Sequence, residues 1–104
     1  SMHTIRLRHP WQCDSTSVGV CWSRPFNWPA GMQPREKALL VIDGLPESAR
    51  VLLGDRLLVA EQGGEFDITE FISLHNRLAI ELAGGTPTSE TECPFEVRLE
   101  IVAA

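Results

Sequence analysis

The sequence predicts an all-β sandwich of about eight short strands. Short runs of apolar or alternating apolar and polar residues recur along the chain, and turn residues such as Gly, Pro, Asn and Asp separate them. No segment is long enough for a helix of several turns. Many short strands at regular spacing are typical of a sandwich or a barrel.

The first two predicted strands lie near the start of the chain. Residues 3–8 alternate, which predicts a half-buried strand with Arg6 and Arg8 on its polar face. Residues 18–24 form the second predicted strand, and Pro25 either stops it or places it at a sheet edge.

A central strand and a hairpin are predicted next. Residues 37–43 (KALLVID) are apolar almost throughout, which indicates a central strand covered on both faces. Two apolar runs, residues 49–53 and 56–60, are separated by Gly54 and Asp55. Two turn residues between two strand-like runs predict a tight hairpin.

The stretch at residues 65–72 is interpreted as a strand followed by one helical turn. Asp67 and Thr69 are expected to satisfy backbone donors where the chain crosses between sheets. Asn76 is expected to act as a turn residue that tolerates a left-handed conformation, and residues 77–82 alternate as the next strand.

Two polar segments and one more strand complete the prediction. Residues 14–17 (DSTS) and residues 84–94 are expected to be turn and loop, because turn-forming and charged residues dominate them. Residues 95–102 alternate between apolar and charged side chains and predict the last strand.

Length and charge limit the classes of partner. The chain has 104 residues, which predicts one domain over residues 2–104, with Ser1 interpreted as a cloning remnant before Met2. Its net charge of −5 and scattered basic residues argue against nucleic acid, which needs a basic stripe, and against an anionic membrane surface.

Three cysteines, Cys13, Cys21 and Cys93, form an odd set without short paired spacing. This favours free thiols in a reducing compartment, although a bridge between Cys13 and Cys21 stays open. No leader with a charged and then an apolar region follows Met2. We therefore expect a cytoplasmic protein.

Several segments in order resemble one known family. They are residues 22–26 (WSRPF) with Pro29, residues 38–44 (ALLVIDG), residues 50–54 (RVLLG), residues 66–69 (FDIT) and residues 76–78 (NRL). Together they resemble the galactose-binding-like jelly roll, in particular the N-terminal sugar-binding domain of family 2 glycoside hydrolases, the β-galactosidase and β-glucuronidase group. That family usually has Asn–Gly where this hairpin has Gly54–Asp55.

The resemblance covers roughly residues 18–82 and implies a jelly roll with a carbohydrate or partner surface. It does not extend to the domains that carry the catalytic carboxylates of that family, so it implies no hydrolase activity. Jelly rolls of this family often hold a structural calcium ion. Asp43, Asp55 and Asp67 lie in predicted loops, but they do not form a recognisable ligand set.

Aromatic residues in loops are the candidate ligand contacts. Trp28 beside Asn27 in a proline-bounded loop is a candidate platform for a sugar ring, with Trp11 and Arg24 as further candidate contacts. Each also has a purely structural interpretation: Trp11 and Trp28 can pack over the sandwich edges, and Arg24 can be a structural cation at a strand edge. The strand phase of Trp22 predicts a core position.

No catalytic residue, metal or cofactor is predicted. The chain lacks a G-x-S-x-G turn and the C-x-x-C or H-x-x-x-H spacings of nucleophile and zinc sites. Together with the resemblance, this leads us to expect a non-catalytic binding or interaction module of the galactose-binding-like type, with carbohydrate as its candidate ligand. The alternatives are a stand-alone structural domain that self-associates or binds a protein without a sugar ligand and, more distantly, a small hydrolase.

Overall fold

The protein is all-β in the part that the structure, a computed structural model, describes: residues 3–8, 10–17, 19–29, 31–60, 63–84 and 93–103. These residues contain no helix, and so none that is long and apolar enough to cross a membrane. Ser1, Met2, Val18 and the centre of the loop predicted at residues 84–94 lie outside the described residues. The described strands are β1 (His3–Arg6), β2 (Gln12–Ser15), β3 (Gly19–Asn27), β4 (Glu36–Asp43), β5 (Arg50–Leu53), β6 (Arg56–Leu57), β7 (Glu65–Asp67), β8 (His75–Ala83) and β9 (Glu96–Ala103).

The strands form two antiparallel sheets. Sheet A has the order β1-β9-β4-β7, and sheet B has the order β2-β3-β8-β5-β6. This confirms the predicted all-β class and is consistent with a β-sandwich, with nine described strands where about eight were predicted.

The core is formed by the inward-facing positions of the alternating strands. Trp22 is buried, as its strand phase predicted, and its ring meets Phe95 edge-to-face with centroids 5.9 Å apart. The largest fully buried side chains come from both sheets and from the turn after β7: Val20, Leu40, Ile42, Val51, Ile68, Leu78, Ile80 and Leu99.

One predicted turn is wrong, because the segment predicted as turn at residues 14–17 overlaps β2. The backbone of β2 pairs with β3 from Gln12 opposite Ser23 to Ser15 opposite Val20. An edge strand of this kind is held by main-chain hydrogen bonds, so its polar side chains gave no apolar alternation to recognise.

Pro25 does not stop the second strand. β3 continues to Asn27, with Pro25 opposite Arg77 of β8. The pairing of β2 with β3 does not extend past Ser23, so at Pro25 the only described neighbour of β3 is β8. The amide hydrogen that proline lacks therefore costs β3 no hydrogen bond on the β2 side. The edge placement, one of the two predicted alternatives, is therefore the one observed.

The predicted hairpin is confirmed in type, although its second strand is shorter than predicted. Leu53 pairs with Arg56, and Gly54 between them has a φ of 60°, a left-handed value that glycine adopts without strain. The Leu58 amide extends the pairing by donating to the Val51 carbonyl at 2.8 Å.

The turn after β7 is held by the side chains that were predicted to hold it. Thr69 Oγ1 accepts a hydrogen bond from the fully buried Ala38 amide at 3.0 Å, and Asp67 Oδ1 accepts one from the Thr69 amide at 3.0 Å. Burial alone would raise the pKa of the Asp67 carboxyl, but the two hydrogen bonds from Thr69 and the charge of Lys37 lower it.

Asn76 differs from its predicted role. It lies within β8, and every described residue with a positive φ is a glycine. Its side chain closes the preceding turn instead: Oδ1 accepts from the Ser73 amide at 2.8 Å, and Nδ2 donates to the Ser73 carbonyl at 2.7 Å.

Candidate functional site

Two adjoining grooves run along the exposed edge of sheet A at β1. The first has a volume of about 1080 Å³ and is lined by Thr4, residues 6–8, Trp11 and residues 93–98. The second has a volume of about 330 Å³ and is lined by residues 5–7, residues 24–27 and Leu99. Arg6 and Leu7 line both grooves, so the chain at residues 6–7 separates them.

The alternation of the first strand positions its arginines at the grooves. Leu7 is buried, and its amide donates to the Val97 carbonyl at 2.9 Å, which continues the pairing of β1 with β9. Arg6 and Arg8, on either side of Leu7, are exposed. Successive side chains on an extended strand point to opposite faces, so burying Leu7 turns both arginines outward.

Arg98 lies directly opposite Arg6 in the pairing of β1 with β9. Its Nη1 lies 2.7 Å from Asp43 Oδ2, and its Nε lies 3.1 Å from Glu100 Oε2. Hydrogen bonds to Glu100 and Asp43 raise the pKa of Arg98. Like charges directly opposite each other destabilise a sheet by a few tenths of a kcal/mol. Asp43 and Glu100 both pair with Arg98, and neither pairs with Arg6.

Cys93 is the thiol at the first groove, and it is free, like Cys13 and Cys21. Burial raises the pKa of the Cys93 thiol, and a hydrogen bond with the Phe95 backbone offsets only part of that effect. A thiol with a raised pKa stays protonated at neutral pH and is a poor nucleophile.

The structure divides the four predicted ligand contacts among different places. Trp11 lines the first groove but is only 6% exposed, and its Nε1 donates to the Leu7 carbonyl at 3.3 Å. Arg24 and Asn27 line the second groove. Trp28 lines neither groove, although it directly follows Asn27. The four residues therefore do not form a single concave site.

Arg24 acts on the backbone in the described structure. Its Nη1 donates to the Arg8 carbonyl and its Nε donates to the Pro25 carbonyl at 3.2 Å. The first bond links β3 in sheet B to the segment after β1 in sheet A. This agrees with the structural interpretation of Arg24 and fixes the backbone that carries the Arg8 side chain.

Trp28 is 39% exposed at the end of β3. Its amide donates to the Leu74 carbonyl at 2.9 Å, and the neighbouring Asn27 Oδ1 lies 3.1 Å from Nδ1 of His75. The backbone of Trp28 is therefore fixed directly after an exposed pair formed by an amide and an imidazole. Trp28 is the tryptophan whose ring remains available to a ligand, because Trp11 and Trp22 are both buried.

A third groove, of about 600 Å³, lies at the opposite edge, where β6 and β7 are the outer strands. It is lined by residues 56–59, by Lys37 and by residues of β7 and the turn after it. The Arg56 guanidinium lies 4.2 Å from the centroid of the Phe71 ring, and Val59 is 82% exposed. This edge thus presents apolar side chains beside mixed charges.

The arginines of the first groove were not predicted as site residues. The alternation that exposes Arg6 and Arg8 was visible in the sequence, but it indicated only a solvated strand face. Their proximity to Arg98 depends on the pairing of β1 with β9, which joins distant parts of the chain. No local pattern reports that register.

The described residues contain no group of three or more His, Cys, Asp or Glu side chains that could hold a metal ion. Of the three aspartates considered for calcium, Asp43 contacts Arg98 and Asp67 contacts Thr69. A scan against protein-family models, a search of curated proteins and a search of solved structures each found no match for this chain.

Proposed function

We propose that this chain is a non-catalytic binding module with a galactose-binding-like jelly roll, and that it binds carbohydrate along the β1 edge. The proposal is carried by one observation. Two adjoining grooves share Arg6, and the second ends at Asn27, directly before an exposed tryptophan. Guanidinium and amide groups can hydrogen-bond to sugar hydroxyls, and an exposed indole offers an apolar face to a sugar ring.

The order of the strands supports the jelly-roll assignment. Without the edge strand β2, eight strands remain in two four-stranded sheets, β1-β9-β4-β7 and β3-β8-β5-β6. A double-sheet jelly roll likewise has eight strands. The chain also changes sheet from β3 to β4, from β4 to β5, and then at each step from β6 to β9.

The chemistry of the first groove supports binding rather than catalysis. Its arginines are permanent hydrogen-bond donors, because a guanidinium does not lose its proton near neutral pH. The raised pKa of Cys93 makes its thiol a poor nucleophile. Such a groove offers a ligand hydrogen-bond donors that stay protonated near neutral pH, and its thiol is a poor nucleophile.

A calorimetric titration with neutral and acidic oligosaccharides tests the proposal. Trp28→Ala should weaken binding at least tenfold, which corresponds to about 1.4 kcal/mol. Phe71→Ala is the matched control, because Phe71 is 38% exposed at the opposite edge. Absence of binding to every saccharide at millimolar concentration would refute the proposal, and so would equal losses for the two variants.

Self-association through β6 is a second candidate function. β6 is an edge strand, and both its residue Leu57 and the nearby Val59 are exposed. Two copies pairing antiparallel about Leu58 would place Leu57 of each opposite Val59 of the other, which is the self-complementary contact that a two-fold dimer requires. The third groove also contains both basic and acidic side chains, which can pair with those of a second copy across a two-fold interface.

Sedimentation equilibrium distinguishes this candidate from a monomer. A dimer should have about twice the chain mass of 11.5 kDa, and Val59→Lys should return it to one chain. Leu74→Lys is the control, since Leu74 is 69% exposed and does not line the third groove. A single-chain mass at every concentration measured would exclude this candidate.

A further inference from the structure

Basic side chains are concentrated at the β1 edge of an acidic protein. Four arginines and one glutamate line the first two grooves: Arg6, Arg8, Arg24, Arg98 and Glu96. The whole chain has only nine Lys and Arg against fourteen Asp and Glu. Among the residues that the structure describes, four of the nine basic residues therefore line these grooves, together with one acidic residue, Glu96.

Arg6 and Arg8 are the arginines of this set whose side chains form neither an ion pair nor a hydrogen bond among the described residues. Arg98 is paired with Asp43 and Glu100, whereas the described residues give Arg6 and Arg8 no ion pair. The guanidinium of Arg24 is occupied by two backbone carbonyls. Two exposed guanidinium groups without an ion pair among the described residues thus stand on the same side of one extended segment, and the Glu96 carboxylate also lines their groove.

The pairing of Arg6 with Arg98 increases the positive charge at this point. The two residues are direct cross-strand neighbours, and their side chains share the outer face of sheet A. Asp43 and Glu100 occupy Nη1 and Nε of Arg98, so Nη2 has no partner among the described residues and can still donate. An anion bound next to Arg6 would reduce the repulsion between these arginines.

We propose that the first groove recognises the carboxylate of an acidic saccharide through Arg6 and Arg8, with Arg98 as a further donor. This inference rests on the proposed carbohydrate function and specifies its ligand class. Residues two apart on an extended chain are about 7 Å apart, so two long arginine side chains can converge on one anion. A planar guanidinium binds a carboxylate through two parallel hydrogen bonds, which a neutral sugar cannot match.

The backbone around Arg8 is restrained, which favours recognition over a mobile charge. The Arg8 carbonyl is held by Arg24, and the Leu7 amide before it is held by the Val97 carbonyl. Thr4 and Glu96 also line the groove. Their hydroxyl and carboxylate oxygens can accept hydrogen bonds from sugar hydroxyls beside the anionic group.

The test is calorimetry with three polymers of similar length: an oligogalacturonide, its methyl ester and polyaspartate. The oligogalacturonide should bind at least tenfold more tightly than its neutral ester, and added NaCl should reduce the difference. Arg6→Gln combined with Arg8→Gln should remove this preference. Arg50→Gln combined with Arg56→Gln is the charge-matched control, because it removes two exposed arginines outside these two grooves.

Each outcome separates this inference from the proposed function. Equal binding of the acid and its ester would overturn the inference and leave carbohydrate binding intact. Polyaspartate binding as tightly as the oligogalacturonide would instead overturn the saccharide assignment, and a peptide or another polyanion would become the ligand class. Equal losses in the control variant and in the Arg6 and Arg8 variant would also overturn the inference, because net charge alone would then explain the effect. A urea midpoint that is unchanged or raised in the Arg6 and Arg8 variant confirms that it folds.

Discussion

Replacing Thr69 with valine should destabilise the protein through one hydroxyl group. Thr69 Oγ1 accepts the hydrogen bond of the fully buried Ala38 amide and donates to Asp67 Oδ1 at 2.5 Å. Valine has almost the same shape as threonine and keeps the β-branch. Thr69→Val therefore removes both hydrogen bonds with little change in packing.

The expected loss follows from the burial of Ala38. A buried amide left without an acceptor costs about 1–3 kcal/mol. Asp67 is only partly buried, so water can replace the bond that its carboxylate loses. We expect a loss of about 2 kcal/mol in the free energy of unfolding, a large share of the roughly 5–15 kcal/mol of a typical domain.

Urea denaturation followed by tryptophan fluorescence measures this loss. For a small domain with a urea dependence of about 1.5 kcal/mol per M, the midpoint should fall by roughly 1.3 M with an unchanged slope. Thr69→Ser is the matched control, since it keeps the hydroxyl and should retain most of the stability. The reasoning is refuted if valine leaves the midpoint unchanged, or if serine lowers it as far as valine does.

Two further predictions concern the same part of the fold. Asp67 has a lowered pKa, so its stabilising effect is complete above its usual pKa of 3.8 and is lost as the pH falls through the lower folded-state value. The difference in urea midpoint between the wild type and Asp67→Asn should therefore shrink below about pH 4, and a constant difference down to pH 2 would contradict this. Gly64→Ala should cost about 3 kcal/mol because its Cβ would lie 2.0 Å from the Ile42 carbonyl oxygen. Gly54→Ala should cost about 1 kcal/mol, because its Cβ would touch nothing and only the positive φ is unfavourable. Thermal unfolding checks this, and a lower melting temperature for Gly54→Ala than for Gly64→Ala would contradict it.

The strands β4, β8 and β9 were predicted because their side chains report their burial. β4, β8 and β9 have inward positions occupied by apolar residues, so alternation or a continuous apolar run identifies them. β2 could not be predicted in this way. All four of its residues are exposed or half-buried, and it is held by pairing with β3.

The candidate site was predictable only in part, and for a similar reason. Asn27 and Trp28 are adjacent in sequence, so their proximity needed no knowledge of the fold. The opposition of Arg6 and Arg98 arises from the register of β1 on β9, a contact between distant segments. Trp11 was a candidate ligand contact with packing over the sandwich edge as the alternative, and the sandwich buries its ring. One tryptophan in a loop does not report which way it faces.

The position of β9 has a consequence for the order of folding. β9 lies between β1 and β4, two strands from much earlier in the chain, whereas every strand of sheet B precedes it. A growing chain can therefore assemble sheet B before β9 is made, while β1 has no partner and β4 has only β7. Pairing across such long loops is slow, so completion of sheet A is expected to be the late step of folding.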